Sequence, residues 1–275
     1  MRVIAIDYDG VIVDSIMDSL FVGHNAYLQV YGSPNRQKMG GKRLTFQNWE
    51  TIQQKYEKEI RYYRSLRPYI RGATDYGLIQ KLMEEERSIQ NQQEFDRYRQ
   101  TVQFDFQNFE YAFYRERKRL QQESFEGWLG LEPPYTEVVQ GIRQFVSKGI
   151  KVMIATSNRR EYIARAFQSS YYDIPILPED ILDNRFGENK SSQMHHICDQ
   201  YDVDYPDIYF VDDQLAHLEQ TAGLGIHVFL AGWSYATQKQ KQDARDQRIP
   251  VIEEEKDFYP KIKESFKECN GRENV

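Results

Sequence analysis

Apolar positions along the chain fall into two rhythms. Residues 2–6 form a short run rich in β-branched side chains, too brief for a helix and suited to a buried strand. Over residues 16–132 the spacing becomes helical. Trp49, Ile52, Tyr56, Ile60 and Tyr63 recur at steps of three and four, as do Phe95, Tyr98, Val102, Phe106, Phe109 and Phe113. Residues 25–31 and 75–83 add two further helical patterns. Gly32-Ser33-Pro34, Gly40-Gly41, Pro68 and Gly72 punctuate the connections. The expectation is a bundle of four helices with no strand between them.

Beyond Pro133-Pro134 the rhythm alternates. Helical patterns at residues 137–147, 160–169, 193–201 and 215–222 separate apolar runs at 150–155, 181–182, 207–211 and 226–230. Strands divided by helices of this length imply a parallel sheet covered on both faces. The first run has no strand partner until Ile150, so the helical segment interrupts the α/β region just after its first strand. The expected fold is α/β: a Rossmann-like parallel sheet with helices on both faces, formed by residues 1–15 and 133–275. Residues 16–132 would be an inserted all-α cap. The polar residues 267–275 read as a frayed end.

Composition narrows the function classes. Of 275 residues, 40% are hydrophobic and 28% charged, as in ordinary globular proteins, and the net charge is −6. That balance argues against a general nucleic-acid binder. Residues 16–132 carry 18 Lys and Arg against 16 Asp and Glu, leaving 18 against 26 elsewhere, so a mildly positive module sits on an acidic body. The aromatics (20 Tyr and 15 Phe) concentrate in the helical stripes, where such spacing reads as core, and the run Arg115–Arg119 reads as a solvated face. Two cysteines, Cys198 and Cys269, lie far apart, without metal-like spacing, and suit a reducing compartment. Nothing resembles a signal peptide or a membrane span, so a cytoplasmic protein is expected.

The candidate chemistry lies at strand ends. The first strand closes on Asp7-Tyr8-Asp9-Gly10; paired carboxylates there are costly unless a cation or catalysis uses them. The run at 150–155 ends in Thr156-Ser157-Asn158, Lys190 follows a polar stretch, and the run at 207–211 ends in Asp212-Asp213. Taken singly, Thr156 could cap a helix and Lys190 could be a surface lysine. Together and in this order, DYDGV, the strand ending in Thr156, Lys190 and VDD resemble the haloacid dehalogenase-like hydrolase superfamily, with its cap between the first and second motifs.

The resemblance implies a Mg²⁺-dependent phosphatase acting on a small phosphate monoester. By it, Asp7 attacks phosphorus to form an aspartyl-phosphate, and Asp9 serves as general acid and then base. Mg²⁺ would be held by Asp7, the Asp9 carbonyl and one of Asp212 and Asp213, with Asp213 the direct ligand. Thr156, Ser157, Asn158 and Gly10 would receive the phosphoryl group, and Lys190 would offset its charge. Asp212 stands where many relatives have glycine, and His217 where they have an acid. Asp9 argues against dehalogenation. A phosphoglucomutase-type transfer and a non-catalytic interaction protein using the aromatic cap remain alternatives. The segment Leu230 to Tyr235 is similar to that of phosphoglycolate phosphatase-like members. Within the cap, Arg67 and Arg71 flank a proline-stiffened loop and are the expected substrate contacts.

Overall fold

A computed structural model describes residues 1–32, 39–174, 176–187 and 189–270, with backbone alone for 268–270. The chain divides into two compact units, Met1–Asp14 with Pro134–Val275, and Ser15–Pro133. In chain order, β1 (Val3–Ile6) precedes α1 (Ile16–Tyr31), α2 (Trp49–Lys55), α3 (Glu57–Leu66), α4 (Ala73–Glu84), α5 (Gln92–Thr101), α6 (Phe106–Glu123) and α7 (Phe125–Gly130). Then follow α8 (Thr136–Ser147), β2 (Lys151–Ala155), α9 (Arg160–Phe167), β3 (Ile181–Leu182), α10 (Lys190–Tyr201) and β4 (Ile208–Asp212). The series closes with α11 (Leu215–Ala222), β5 (His227–Ala231), α12 (Gln238–Asp246), β6 (Val251–Ile252) and α13 (Phe258–Asn270).

The α/β unit is a six-stranded sheet in the order β3-β2-β1-β4-β5-β6, every pairing parallel. All four residues of β1 and all five of β4 are buried, as parallel strands covered on both faces must be. Alternation sorts their side chains. Val3, Ala5, Met153, Ala155, Phe210, Val228 and Leu230 join one core with Met194 and Ile197 of α10 and Leu215 and Leu218 of α11. From the other register, Tyr209 meets Phe266 of α13 at 4.6 Å, and Phe266 meets Phe145 of α8 at 6.0 Å. The chain's first strand is thus the sheet's centre, with Ile6 level with Ile154 on one side and Val211 on the other. Ligands of such sheets sit beyond the strands' carboxyl ends, where the strand order reverses.

The helical unit holds seven α-helices among the described residues, more than the four expected. Both long stripes are broken. Tyr56, outside helical geometry at φ −115° and ψ 34°, separates α2 from α3. Val102 is extended, and Asp105 then caps α6 by accepting from the Asn108 N–H at 3.1 Å. The apolar positions stay in phase across each break, so periodicity does not register it. Helix α1 begins at Ile16, well before residue 25. Its first twelve residues are buried all round, including Asp18, Ser19, His24 and Asn25, so no polar face reveals its period. Helix α4 packs close to Phe104 and to Phe109 of α6 because Gly77 has no side chain; a Cβ there would lie 2.4 Å from Phe104.

Two buried acids of this unit, Asp18 and Glu116, are each held by several donors. Asp18 accepts from Arg117 and, at 2.8 Å, from the Trp128 indole N–H. Glu116 accepts from Asn25 at 2.9 Å, from Arg119 at 2.9 and 3.0 Å, and from Arg43. Removing one partner of a buried ion pair costs about 3–5 kcal/mol. Asp18→Ala should therefore lower unfolding free energy by roughly that amount in urea titration. A change under about 1 kcal/mol would mean that Arg117 and Trp128 repartner without loss.

Three further elements depart from the pattern reading. Helix α10 starts at Lys190 rather than 193, because Asn189 caps it by accepting from the Ser192 N–H at 3.0 Å. Strand β6 is an edge of two residues after Pro250, too short for any alternation to show. Ser33 and Pro34, read as punctuation, lie outside the described residues, as do 271–275 of the end read as frayed.

Candidate active site

The site is built at the carboxyl ends of β1, β2 and β4. The Asp7 N–H donates to the Val211 carbonyl at 3.0 Å, which extends the β1–β4 ladder by one residue and leaves the Asp7 side chain at the sheet edge. The chain then coils tightly. The Tyr8 carbonyl accepts from Ile12 at 3.0 Å and Val13 at 3.2 Å, and the Gly10 N–H donates to the Val13 carbonyl at 2.8 Å. Gly10 sits at φ +84°, where a Cβ would lie 2.8 Å from Asp213 Oδ2 and from the Tyr235 ring. The Tyr235 hydroxyl donates to Asp14 at 2.8 Å, tying the end of the coil to the segment after β5.

Asp7, Asp212 and Asp213 are buried, and each offers a carboxylate oxygen within 4.8 Å of the others. Lys190, also buried, donates to Asp7 Oδ1 at 2.9 Å, to the Ala155 carbonyl at the end of β2, and lies 3.4 Å from Asp212 Oδ2. One ammonium therefore ties together the ends of three neighbouring strands. Asp212 also accepts from the Gln214 N–H at 2.8 Å and faces His217 Nδ1 at 3.0 Å.

Environment drives these carboxylates apart. Burial pushes the Asp7 carboxyl up; Lys190 pulls it down, Asp212 and Asp9 push it up again, and it stands at about 6. Burial also presses on Asp212, but His217, Lys190 and the Gln214 N–H outweigh it and hold this acid at about 2. For Lys190 and His217 burial works against the charged form, yet the facing carboxylates, Asp7 then Asp212 for the lysine and Asp212 for the histidine, keep both above their ordinary values.

Thr156 follows β2 and is buried; its N–H donates to the Leu182 carbonyl at 2.9 Å, and its hydroxyl oxygen accepts from the Asn158 N–H at 3.0 Å. It caps no helix, since α9 begins at Arg160. Ser157 is exposed, and Asn158 is buried with its side-chain carbonyl accepting from the Arg159 N–H at 2.9 Å. The structure thus gathers Asp7, Gly10, Lys190, Asp212 and Asp213 in direct contact, with Asp9 next in chain to Gly10 and Thr156 next to Ala155, whose carbonyl accepts from Lys190. Arg67 and Arg71 belong to the helical unit. Arg67 is buried, its guanidinium 5.9 Å from the centre of the Tyr76 ring. Arg71 sets its planar fork on Asp96 at 2.6 and 2.9 Å, so an internal carboxylate already fills the role expected of an external anion. His195 and His196 part as helical geometry requires, toward Tyr205 and Phe186.

The pattern reading passed over Gln193. It is buried on α10, and its side-chain N–H₂ donates to the carbonyls of Thr156 at 2.9 Å and Leu182 at 3.0 Å, pinning the loop after β2 to the end of β3. Only its place one turn after Lys190 could have signalled this. Gln193→Leu leaves the Thr156 carbonyl without that donor and the Leu182 carbonyl with the Thr156 N–H alone, at a cost of about 1–3 kcal/mol. The expected outcome is a lowered melting temperature; an unchanged melt would show that the carbonyls are satisfied otherwise.

A family model for the haloacid dehalogenase-like hydrolases matches residues 1–219. The chain belongs to this family. Solved structures agree in fold. A predicted phosphoglycolate phosphatase from Haemophilus somnus is similar at 12% identity, covering 94% of this chain and 96% of that one, with a TM-score of 0.57. A haloacid dehalogenase-like family protein from Streptococcus pneumoniae matches at 8% identity, 95% and 98% coverage and a TM-score of 0.58. A predicted phosphatase from Clostridium acetobutylicum matches at 9% identity, 96% and 98% coverage and a TM-score of 0.57. No curated protein matches the chain at a significant level. Among the described residues, no helix is long and apolar enough to cross a membrane.

Proposed function

We propose that this hydrolase is a Mg²⁺-dependent phosphatase of small phosphate monoesters. The supporting observation is the position of Asp7, a carboxylate at the mouth of the central strand, held by Lys190 and facing two further buried acids. The carboxylates suit a hard cation. They supply only oxygen, and Asp7 carries a burial penalty that a positive charge would relieve. Asp213, Asp7 and the Asp9 carbonyl would hold Mg²⁺, while Asp212, engaged by His217, Gln214 and Lys190, supports from behind. When bound, the ion neutralises charge on the phosphoryl oxygens.

The chain's own groups account for the remaining steps. Asp7 attacks phosphorus, the bond to the leaving oxygen breaks, and an aspartyl-phosphate forms on Asp7. Asp9 gives the departing oxygen its proton, then takes one from the water that opens the acyl phosphate. Thr156 turns its hydroxyl oxygen to the Asn158 N–H, which leaves the hydroxyl proton to donate to a phosphoryl oxygen, beside Ser157, Asn158 and Gly10. Lys190 offsets negative charge on Asp7 as phosphorus approaches. The cap would choose the rest of the substrate, through side chains other than Arg67, which is buried, and Arg71, which Asp96 already engages.

Screening phosphate monoesters for phosphate release, with and without Mg²⁺, tests this reading. Asp7→Asn should abolish turnover while leaving the melting temperature unchanged or raised, since it removes charge from a crowded acidic cluster. Turnover by the purified variant above background would sink the assignment. A pH dependence follows from the raised Asp7. Its proton competes with the cation, so apparent Mg²⁺ affinity should be steady above pH ~7 and fall up to about tenfold per unit below ~6. Full activity after exhaustive chelation, or Mg²⁺ affinity indifferent to pH between 5 and 7, would contradict it.

A further inference from the structure

A second charged feature lies wholly within the helical unit. A groove of about 530 Å³ is lined by Arg43, Arg115, Lys118 and Arg119, with Gln29 beside them and Glu116 as its only acid among the described residues. Its size falls within the range of small-molecule sites. The charge of Glu116 is already spent, because both oxygens accept from Asn25, Gln29, Arg119 and Arg43. Arg43 reaches Glu116 through one terminal nitrogen, and Arg115 donates to Gln29 at 2.6 Å. Lys118 is exposed and makes no ion pair with any described residue. One face of α6 thus presents Arg115 and Lys118 three residues apart, where like charges repel, beside Arg119, which is held by Glu116 and Glu123. Exposed Tyr111 extends the face by one turn, the Arg115 guanidinium 5.5 Å from its ring centre.

We propose that this groove binds a small polyanion carrying two or more phosphate groups, as in a nucleoside polyphosphate or an inorganic polyphosphate. Phosphate oxygens spaced along such a ligand meet Arg43, Arg115 and Lys118 together, and charge-assisted hydrogen bonds replace the mutual repulsion. Tyr111 offers a flat apolar surface to a base. The site is separate from the phosphatase reading and does not depend on it.

Calorimetric titration of the whole protein in EDTA, with tripolyphosphate and with ATP, tests the assignment. The expected result is saturable binding by wild type and by Asp7→Asn alike, weakened roughly tenfold or more in Arg115→Gln/Lys118→Gln and by added salt. Tighter binding of ATP than of tripolyphosphate marks a nucleotide site, and equal binding a polyphosphate site. The double variant should melt at or above the wild-type temperature and hydrolyse p-nitrophenyl phosphate, if wild type does, at the same rate. No binding of either ligand, or binding untouched by the double substitution, would overturn the proposal. So would binding lost in Asp7→Asn, or tighter binding of a single-stranded RNA oligomer than of both ligands.

Discussion

The structure turns on one costly arrangement: three carboxylates buried within reach of one another at the end of a sheet, with a single ammonium among them. Burial alone would protonate such a group or drive it apart. Here Lys190 reaches the termini of β1, β2 and β4 at once, so its placement on the first turn of α10 fixes the relative heights of three strands. The cap of α10, the clamp from Gln193 and the tight coil after Asp7 all serve to hold that geometry. The two acids facing Lys190 are not equivalent. His217 keeps Asp212 low, whereas burial raises Asp7 to about 6, so Asp7 gains more from a facing positive charge.

Much of this was legible in the sequence, because the strands at the site are continuous apolar runs that stop at polar residues. The stops at Asp7, Thr156 and Asp212 mark the sheet edge directly, and the order of the motifs supplied the family. Contacts made by residues of no special type were not legible. Gln193 sits on an ordinary helical position, and the bond from Tyr235 to Asp14 joins residues more than two hundred positions apart. The helical unit was read less well. Its stripes run in phase through breaks at Tyr56 and at 102–105, and α1 hides its period by burying polar side chains.

Residues 115–119 show how one basic run can have two meanings. In sequence they form a single block; on α6, Arg117 turns inward to Asp18 while Arg115, Lys118 and Arg119 face outward. Helical geometry divides the run between fold and surface. Neither half is visible until the axis of α6 is known.

The central place of β1 bears on how the chain acquires its structure. Strand β1 leaves the ribosome long before either of its neighbours: Val3 pairs with Lys151 and with Ile208. Pairings of such long range are slow to form. The intervening helices make mostly closer contacts and can settle while the apolar strand waits unpaired. Nascent chains of this protein are therefore most prone to aggregation between synthesis of β1 and emergence of β4, the interval in which a chaperone would matter most.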